Sequence, residues 1–148
     1  MQGRSVTVGE LQVSEFLDAL GERTPAPASG AAAALTGAFA ASLVELAARF
    51  AEDDAAITRA KALSRRLTQL ADEDAAAYEA FLATGSEEAR RRTIEVPVQI
   101  AANADEVERL AEEVGSELTT SVAGDADAAA GLAREAARVA RRLAELNA

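Results

Sequence analysis

Thr24-Pro25-Ala26-Pro27-Ala28-Ser29-Gly30 opens the segment that decides the fold, the apolar run from Ala31 to Phe50. Each proline fixes its own φ and pushes the residue before it out of the helical region, so the approach to the run is extended. Ser29 or Gly30 is the expected N-cap. The helix that follows carries few polar interruptions: Thr36, Gly37, Ser42, Glu45 and Arg49. A surface helix shows a polar stripe, whereas one that is apolar nearly all round is buried on most sides. Gly30, Ala34, Gly37, Ala38 and Ala41 are small enough to admit a neighbouring backbone. A rigid loop therefore feeds the N-terminus of a central helix. Free backbone N–H groups and the helix dipole make such an end receptive to an anionic or polar ligand.

Working outward, helical periodicity dominates and strand alternation is nearly absent. Residues 1–9 read as a loose leader. A first helix is expected from about Leu11 to Leu20, burying Leu11, Phe16, Leu17 and Leu20 and stopping at Gly21. Glu52-Asp53-Asp54 suits the first turn of a third helix. That helix, to about Ala83, carries Ala60, Leu63, Leu67, Leu70, Asp74, Ala77 and Phe81 at alternating steps of three and four, a coiled-coil-like seam. Thr84-Gly85-Ser86 ends it and caps a fourth helix running to about Thr119. The fourth helix kinks at Pro97, which has no N–H for the carbonyl of Thr93. Its apolar side is read as Ile94, Val98, Ile100, Ala104, Val107, Ala111, Val114 and Leu118. A break at Ser121–Gly124 precedes a fifth helix with the seam Asp125, Ala129, Leu132, Ala136, Val139, Leu143 and Leu146. The expected fold is all-α, a five-helix bundle with three long helices, forming one domain over 1–148.

Composition narrows the chemistry. The 148 residues contain neither cysteine nor histidine. This removes disulfides, thiolate nucleophiles, the usual general base and the commonest metal ligand. Acid–base work falls to carboxylates, Tyr78, Lys61, hydroxyls or water. The formal charge of −10 argues against a nucleic-acid partner. The apolar run meets Glu45 and Arg49 before it can span a bilayer, and the N-terminus lacks a basic-then-apolar signal, so a cytoplasmic protein without a membrane partner is expected.

Two carboxylates occupy seam positions where apolar residues belong, Asp74 and Asp125. A buried, unpaired carboxylate is costly and needs a partner, water or a ligand. Asp125 has a bland alternative as a cap of the fifth helix, and Asp74 has one as the partner of an arginine on another helix, such as Arg49. Tyr78, the only tyrosine, lies one turn beyond Asp74. Glu45 and Arg49 have the favourable order for an intrahelical pair. Arg90-Arg91-Arg92 reads as a solvated face that can also meet an anionic substrate tail.

Four segments in order resemble the formiminotransferase-cyclodeaminase family, which includes bacterial methenyltetrahydrofolate cyclohydrolases. Phe16-Leu17 and Thr24-Pro25-Ala26-Pro27, with the small-residue helix after them, resemble its opening. Asp72-Glu73-Asp74-Ala75-Ala76-Ala77-Tyr78 is similar to its aspartate, small residue and aromatic. Glu95-Val96-Pro97 and Ser121-Val122-Ala123-Gly124-Asp125-Ala126 resemble its later motifs. The resemblance implies an all-helical homodimer acting on one-carbon folates. Such an enzyme either cyclises formiminotetrahydrofolate with loss of ammonia or hydrolyses methenyltetrahydrofolate. It implies no metal and no cofactor beyond the tetrahydrofolate-type substrate. On this reading Asp74, Asp125 and Tyr78 are catalytic, and Thr24, Pro27, Ser29 and Gly30 bind substrate. Ala28 and Ala31 replace glycines of the family loop, and Glu52-Asp53-Asp54 replaces a basic segment. These departures define the alternative, a non-catalytic helical binding or interaction module that kept the fold. Self-association is expected on separate grounds, because alanine-rich faces leave little bulk inside one protomer.

Overall fold

The computed structural model describes residues 6–148, which form five α-helices and no strand among the described residues. The long apolar helix, α2 (Ser29–Phe50), is the axis of the molecule. Around it pack α3 (Asp54–Thr84), α4 (Glu87–Ser116) and α5 (Val122–Asn147), while α1 (Val13–Gly21) stands at the side. By length and composition α2 can cross a membrane, but here it is the core helix, its alanines and glycines buried along the inward face while Phe39, Leu46 and Phe50 stay exposed on the other. A side chain on Gly37 would place its Cβ 3.1 Å from Leu67 Cδ1. Glycine at this position therefore lets the α3 leucines press on the α2 backbone.

The caps of α3 and α4 follow the local sequence. Asp53 caps α3, its Oδ1 accepting from the Ala56 N–H at 3.0 Å. Gly85 ends α3 at φ 60°, a left-handed conformation natural to glycine. Ser86 caps α4, its Oγ accepting from the Ala89 N–H at 3.1 Å. The α3 seam is buried at Ala60, Leu63, Leu67, Leu70 and Ala77, as the spacing predicts.

Several expectations are corrected. Ser29 is the first residue of α2 rather than its cap; that position belongs to Ala28, and no side chain caps the helix. On α4 the buried residues before Ile100 are Thr93, Val96 and Pro97, while Val98 is exposed. Counting back from Ile100 in steps of three and four gives this register, and the proline ring itself fills the core. The helix stops at Ser116 rather than Thr119, closing in a tight turn where the Leu118 N–H donates to the Gly115 carbonyl at 3.2 Å.

On α5, alanines carry the buried face and Leu132 and Leu146 are exposed. The close approach of α5 to α4 and α2 leaves room only for methyl groups, so the bulky leucines lie on the flanks. The helix begins at Val122, which puts Asp125 inside its first turn and rules out the capping role. On α1 only Phe16 is buried and Leu17 is exposed. Part of the expected leader, residues 1–5, lies outside the described residues. Its remainder is tied down: Val8–Glu10 forms a 3-10 turn whose Val8 N–H donates to Asp72 Oδ1 at 2.8 Å.

Leu67 is fully buried against Gly37, so Leu67→Ala is expected to cost about 2–5 kcal/mol in denaturant unfolding. Leu82→Ala, at an exposed position of the same helix, should stay within about 0.5 kcal/mol of the parent.

Candidate functional site

The seam that buries Leu67 and Leu70 next delivers Asp74, at the height where α2 begins. Its carboxylate lies so close to Gly30 that a Cβ built there would collide with Cγ and both oxygens. Glycine is required at position 30 for this approach, not for an unusual φ. The Asp74 carboxylate has no hydrogen-bond donor or cation partner among the described residues. Burial pushes its pKa above the ordinary 3.8. The α2 N-terminus favours the charged form, and loss of solvent outweighs it.

Asp74 faces a cleft of about 240 Å³. One wall is the loop, through Pro25, Ala26, Ala28, Ser29 and Gly30, and the opposite wall is α3, through Asp74, Ala75 and Tyr78. Thr93 of α4 with Leu143 and Asn147 of α5 closes the remaining side. Neighbouring acids are engaged elsewhere. Asp72 holds the Val8 N–H, and Glu73 lies 3.1 Å from Arg66 and 3.7 Å from Arg92. Arg49 pairs with Glu45 at 2.7 Å, which removes it as the partner of Asp74.

The closing side depends on Pro97. Lacking an N–H, it leaves the Thr93 carbonyl without its helical donor. Asn147 Nδ2 donates to that carbonyl at 2.9 Å. Two carbonyl oxygens cannot bond to each other, so this contact fixes which end of the amide is which. The last turn of α5 is thereby fastened to the turn of α4 that precedes Pro97, and Thr93 and Asn147 both border the cleft.

Of the residues expected to form a site, Asp74, Tyr78, Ser29 and Gly30 come together in this cleft. Thr24 and Pro27 do not line it. Thr24 Oγ1 donates to the Ala26 carbonyl at 3.3 Å, stiffening the loop from behind. Asp125 is also absent, for a larger reason. It starts α5, and Leu143, which lines the cleft, is about 27 Å further along at roughly 1.5 Å per residue. Thr93, Leu143 and Asn147 were not anticipated as site residues. The one signal in the sequence was Pro97, which marks the Thr93 carbonyl as free but does not name its donor.

The molecule is thus a helical bundle with a carboxylate, unpaired among the described residues, pressed on the N-terminus of its central helix inside a cleft. The chain belongs to the formiminotransferase-cyclodeaminase family, whose model matches residues 12–148. In fold it is similar to the crystal structure of formiminotetrahydrofolate cyclodeaminase from Thermotoga maritima. The TM-score is 0.90 at 24% identity, over 95% of this chain and 79% of that one. No curated protein matches the chain in sequence.

Asn147→Ala strands the buried Thr93 carbonyl and is expected to cost about 1–3 kcal/mol. Pro97→Ala restores a backbone N–H to the same carbonyl, so the double variant should lose less than the sum of the two single variants in urea unfolding.

Asp74 gives a second expectation. A raised folded-state pKa means that the native protein holds this proton more tightly than the unfolded chain does. Stability from this group is present below its unfolded pKa, 3.8, and is lost as pH rises through the folded value. Asp74→Asn is therefore expected to be more stable than the parent at pH 7. The difference should vanish in unfolding midpoints measured below the ordinary carboxylate range.

Proposed function

We propose that the cleft binds a one-carbon tetrahydrofolate and that the protein catalyses its cyclodeamination or hydrolysis. The observation that carries this reading is Asp74: an unpaired, half-buried carboxylate held in a cleft by close packing on Gly30. Folding has placed a costly group where a ligand can reach it. Membership of the formiminotransferase-cyclodeaminase family supplies the substrate class.

The chemistry suits the residues present. In hydrolysis, water adds to the carbon of the cationic methenyl bridge, one proton leaves, and one carbon–nitrogen bond breaks to give the formyl product. In cyclodeamination, a folate N–H nitrogen attacks the formimino carbon and gives up its proton, and the former imino nitrogen, having gained that proton and one more, departs as ammonia as its carbon–nitrogen bond breaks. Both routes pass through a cationic amidinium-like centre. The Asp74 carboxylate stabilises that charge and takes the proton of the attacking water, or returns one to departing ammonia. Its raised pKa brings it nearer the range in which a carboxyl can both accept and give a proton. Tyr78, one turn away on α3, borders the same cleft. Ser29 and Gly30 supply the helix N-terminus that borders the ligand. Neither metal nor histidine enters the scheme, and the folate itself is the only small molecule required.

A second reading has its own support: the absence of Asp125 from the cleft and the methyl group of Ala28 on the cleft wall fit a binding module without turnover. Kinetics separates the two. The parent should consume methenyltetrahydrofolate above the buffer rate or release ammonia from formiminotetrahydrofolate. Asp74→Asn should lower kcat by about 100- to 10,000-fold while folding normally. Saturable folate binding with no turnover in the parent would instead establish the non-catalytic module. Absence of both binding and turnover would remove the folate reading altogether.

A further inference from the structure

The fastening of α5 to α4 uses only one arm of the Asn147 amide. Nδ2 donates to the Thr93 carbonyl at 2.9 Å, a need that any donor of the right reach would meet. An asparagine brings an acceptor as well. Its Oδ1 receives no hydrogen bond among the described residues, yet it is not sealed from solvent. The bond at Nδ2 holds the amide in place, so a ligand that uses the oxygen has little side-chain freedom to remove. The other polar side chains of the cleft differ. The Thr93 hydroxyl donates to the Arg90 carbonyl at 2.6 Å, and the residue is buried. Ser29 and Tyr78 carry hydroxyls, which turn to give or to accept. Neither lysine nor arginine lines the cleft. Its fixed polar groups are therefore acceptors, Asp74 on one wall and Asn147 on another, and such a lining favours a ligand rich in N–H groups.

We propose that Asn147 determines specificity in this cleft, its Oδ1 accepting a hydrogen bond from the exocyclic amino group of the bound folate. The inference rests on the folate reading above. A tetrahydrofolate concentrates its N–H donors at one end of the pterin bicycle, on the aminopyrimidine ring. The one-carbon unit sits at the other end. Asp74 acts on the one-carbon end, where cationic charge develops. With that end against α3, the aminopyrimidine extends towards the wall made by α4 and α5, where Asn147 stands. The two acceptors then meet chemically different ends of one ligand. A ring without the amino group leaves Oδ1 facing carbon and loses the hydrogen bond. Asn147 is partly buried rather than sealed, so water offsets some of that loss. The resulting preference is modest, about five- to tenfold.

The test compares methenyltetrahydrofolate with the analogue that carries a methyl group in place of the exocyclic amine. Preference is the ratio of their kcat/KM values, or of their dissociation constants where neither is turned over. Pro97→Ala gives Thr93 a backbone N–H and serves as a reference background, in which substitutions at Asn147 no longer strand the carbonyl. The parent and Pro97→Ala should both prefer the natural folate by about five- to tenfold. In the Pro97→Ala background, Asn147→Ala should abolish the preference by weakening the natural folate alone. Asn147→Asp keeps an oxygen acceptor and should keep the preference. If Asn147→Ala weakens both ligands equally, or Asn147→Asp loses the preference as Asn147→Ala does, the residue only fastens α5 and the proposal is overturned. A preference lost in Asp74→Asn and kept in Asn147→Ala would overturn it as well, by assigning the amino group to Asp74. A parent or a Pro97→Ala variant that handles both ligands alike overturns this inference and leaves the folate reading standing. A parent that neither binds nor converts methenyltetrahydrofolate removes both.

Discussion

Alanine and glycine along the broad inward face of α2 allow α3, α4 and α5 to approach the same helix at once. The leucines of α3 reach inward to its backbone at Gly37, and α5 answers with alanines of its own. Bulk comes from α3, through Leu63, Leu67 and Leu70, and from α4, through Val96, Pro97, Ile100, Val107 and Val114, while α2 and α5 contribute mostly methyl groups. Where the α3 seam reaches the end of α2, the geometry that packed a leucine now packs Asp74. The candidate site is a continuation of the core by other means. The tight approach that excludes water from Leu67 also strips it from a carboxylate.

That end of the bundle holds two polar debts of the fold. One is the Asp74 carboxylate against Gly30. The other is the Thr93 carbonyl released by Pro97 and recovered by Asn147 at 2.9 Å. They differ in outcome: the carbonyl is satisfied internally and fastens α5 to α4, while the carboxylate is left to a ligand or to solvent. The satisfied contact ties together one wall of the cleft, and the unsatisfied one leaves a carboxylate facing into it. A binding site needs both, because an oriented frame without a reactive group binds indifferently and a reactive group on a loose frame is misplaced.

Much of this was legible in the chain because it is written locally. Asp53, Gly85 and Ser86 act within one turn of their own positions, so the ends of α3 and the start of α4 could be read from neighbours alone. Asp74 stood out because a charge interrupted a period of three and four. Other features depend on residues far apart. Asn147 finds Thr93 across 54 positions, and nothing near either residue announces the other. The exposed leucines of α5 misled for a related reason: hydrophobicity ranks leucine above alanine for burial, but the short distance between helices selects size first. The family resemblance drew Asp125 towards the site. Whether it can reach depends on which end of α5 lies beside α2, which is decided by the connections and not by the motif.

An alanine core has a consequence for how such a protein can drift in sequence. Burying alanine forfeits no rotamer freedom, but almost any enlargement at these positions collides with a backbone. Permitted exchanges along the contact faces are therefore few and concern size, while the outward faces are nearly free to change. Two chains under this rule can lose most of their shared identity and still superimpose, as this one does on its Thermotoga maritima counterpart at 24% identity and a TM-score of 0.90. What is inherited is a pattern of clearances between helices more than a set of letters.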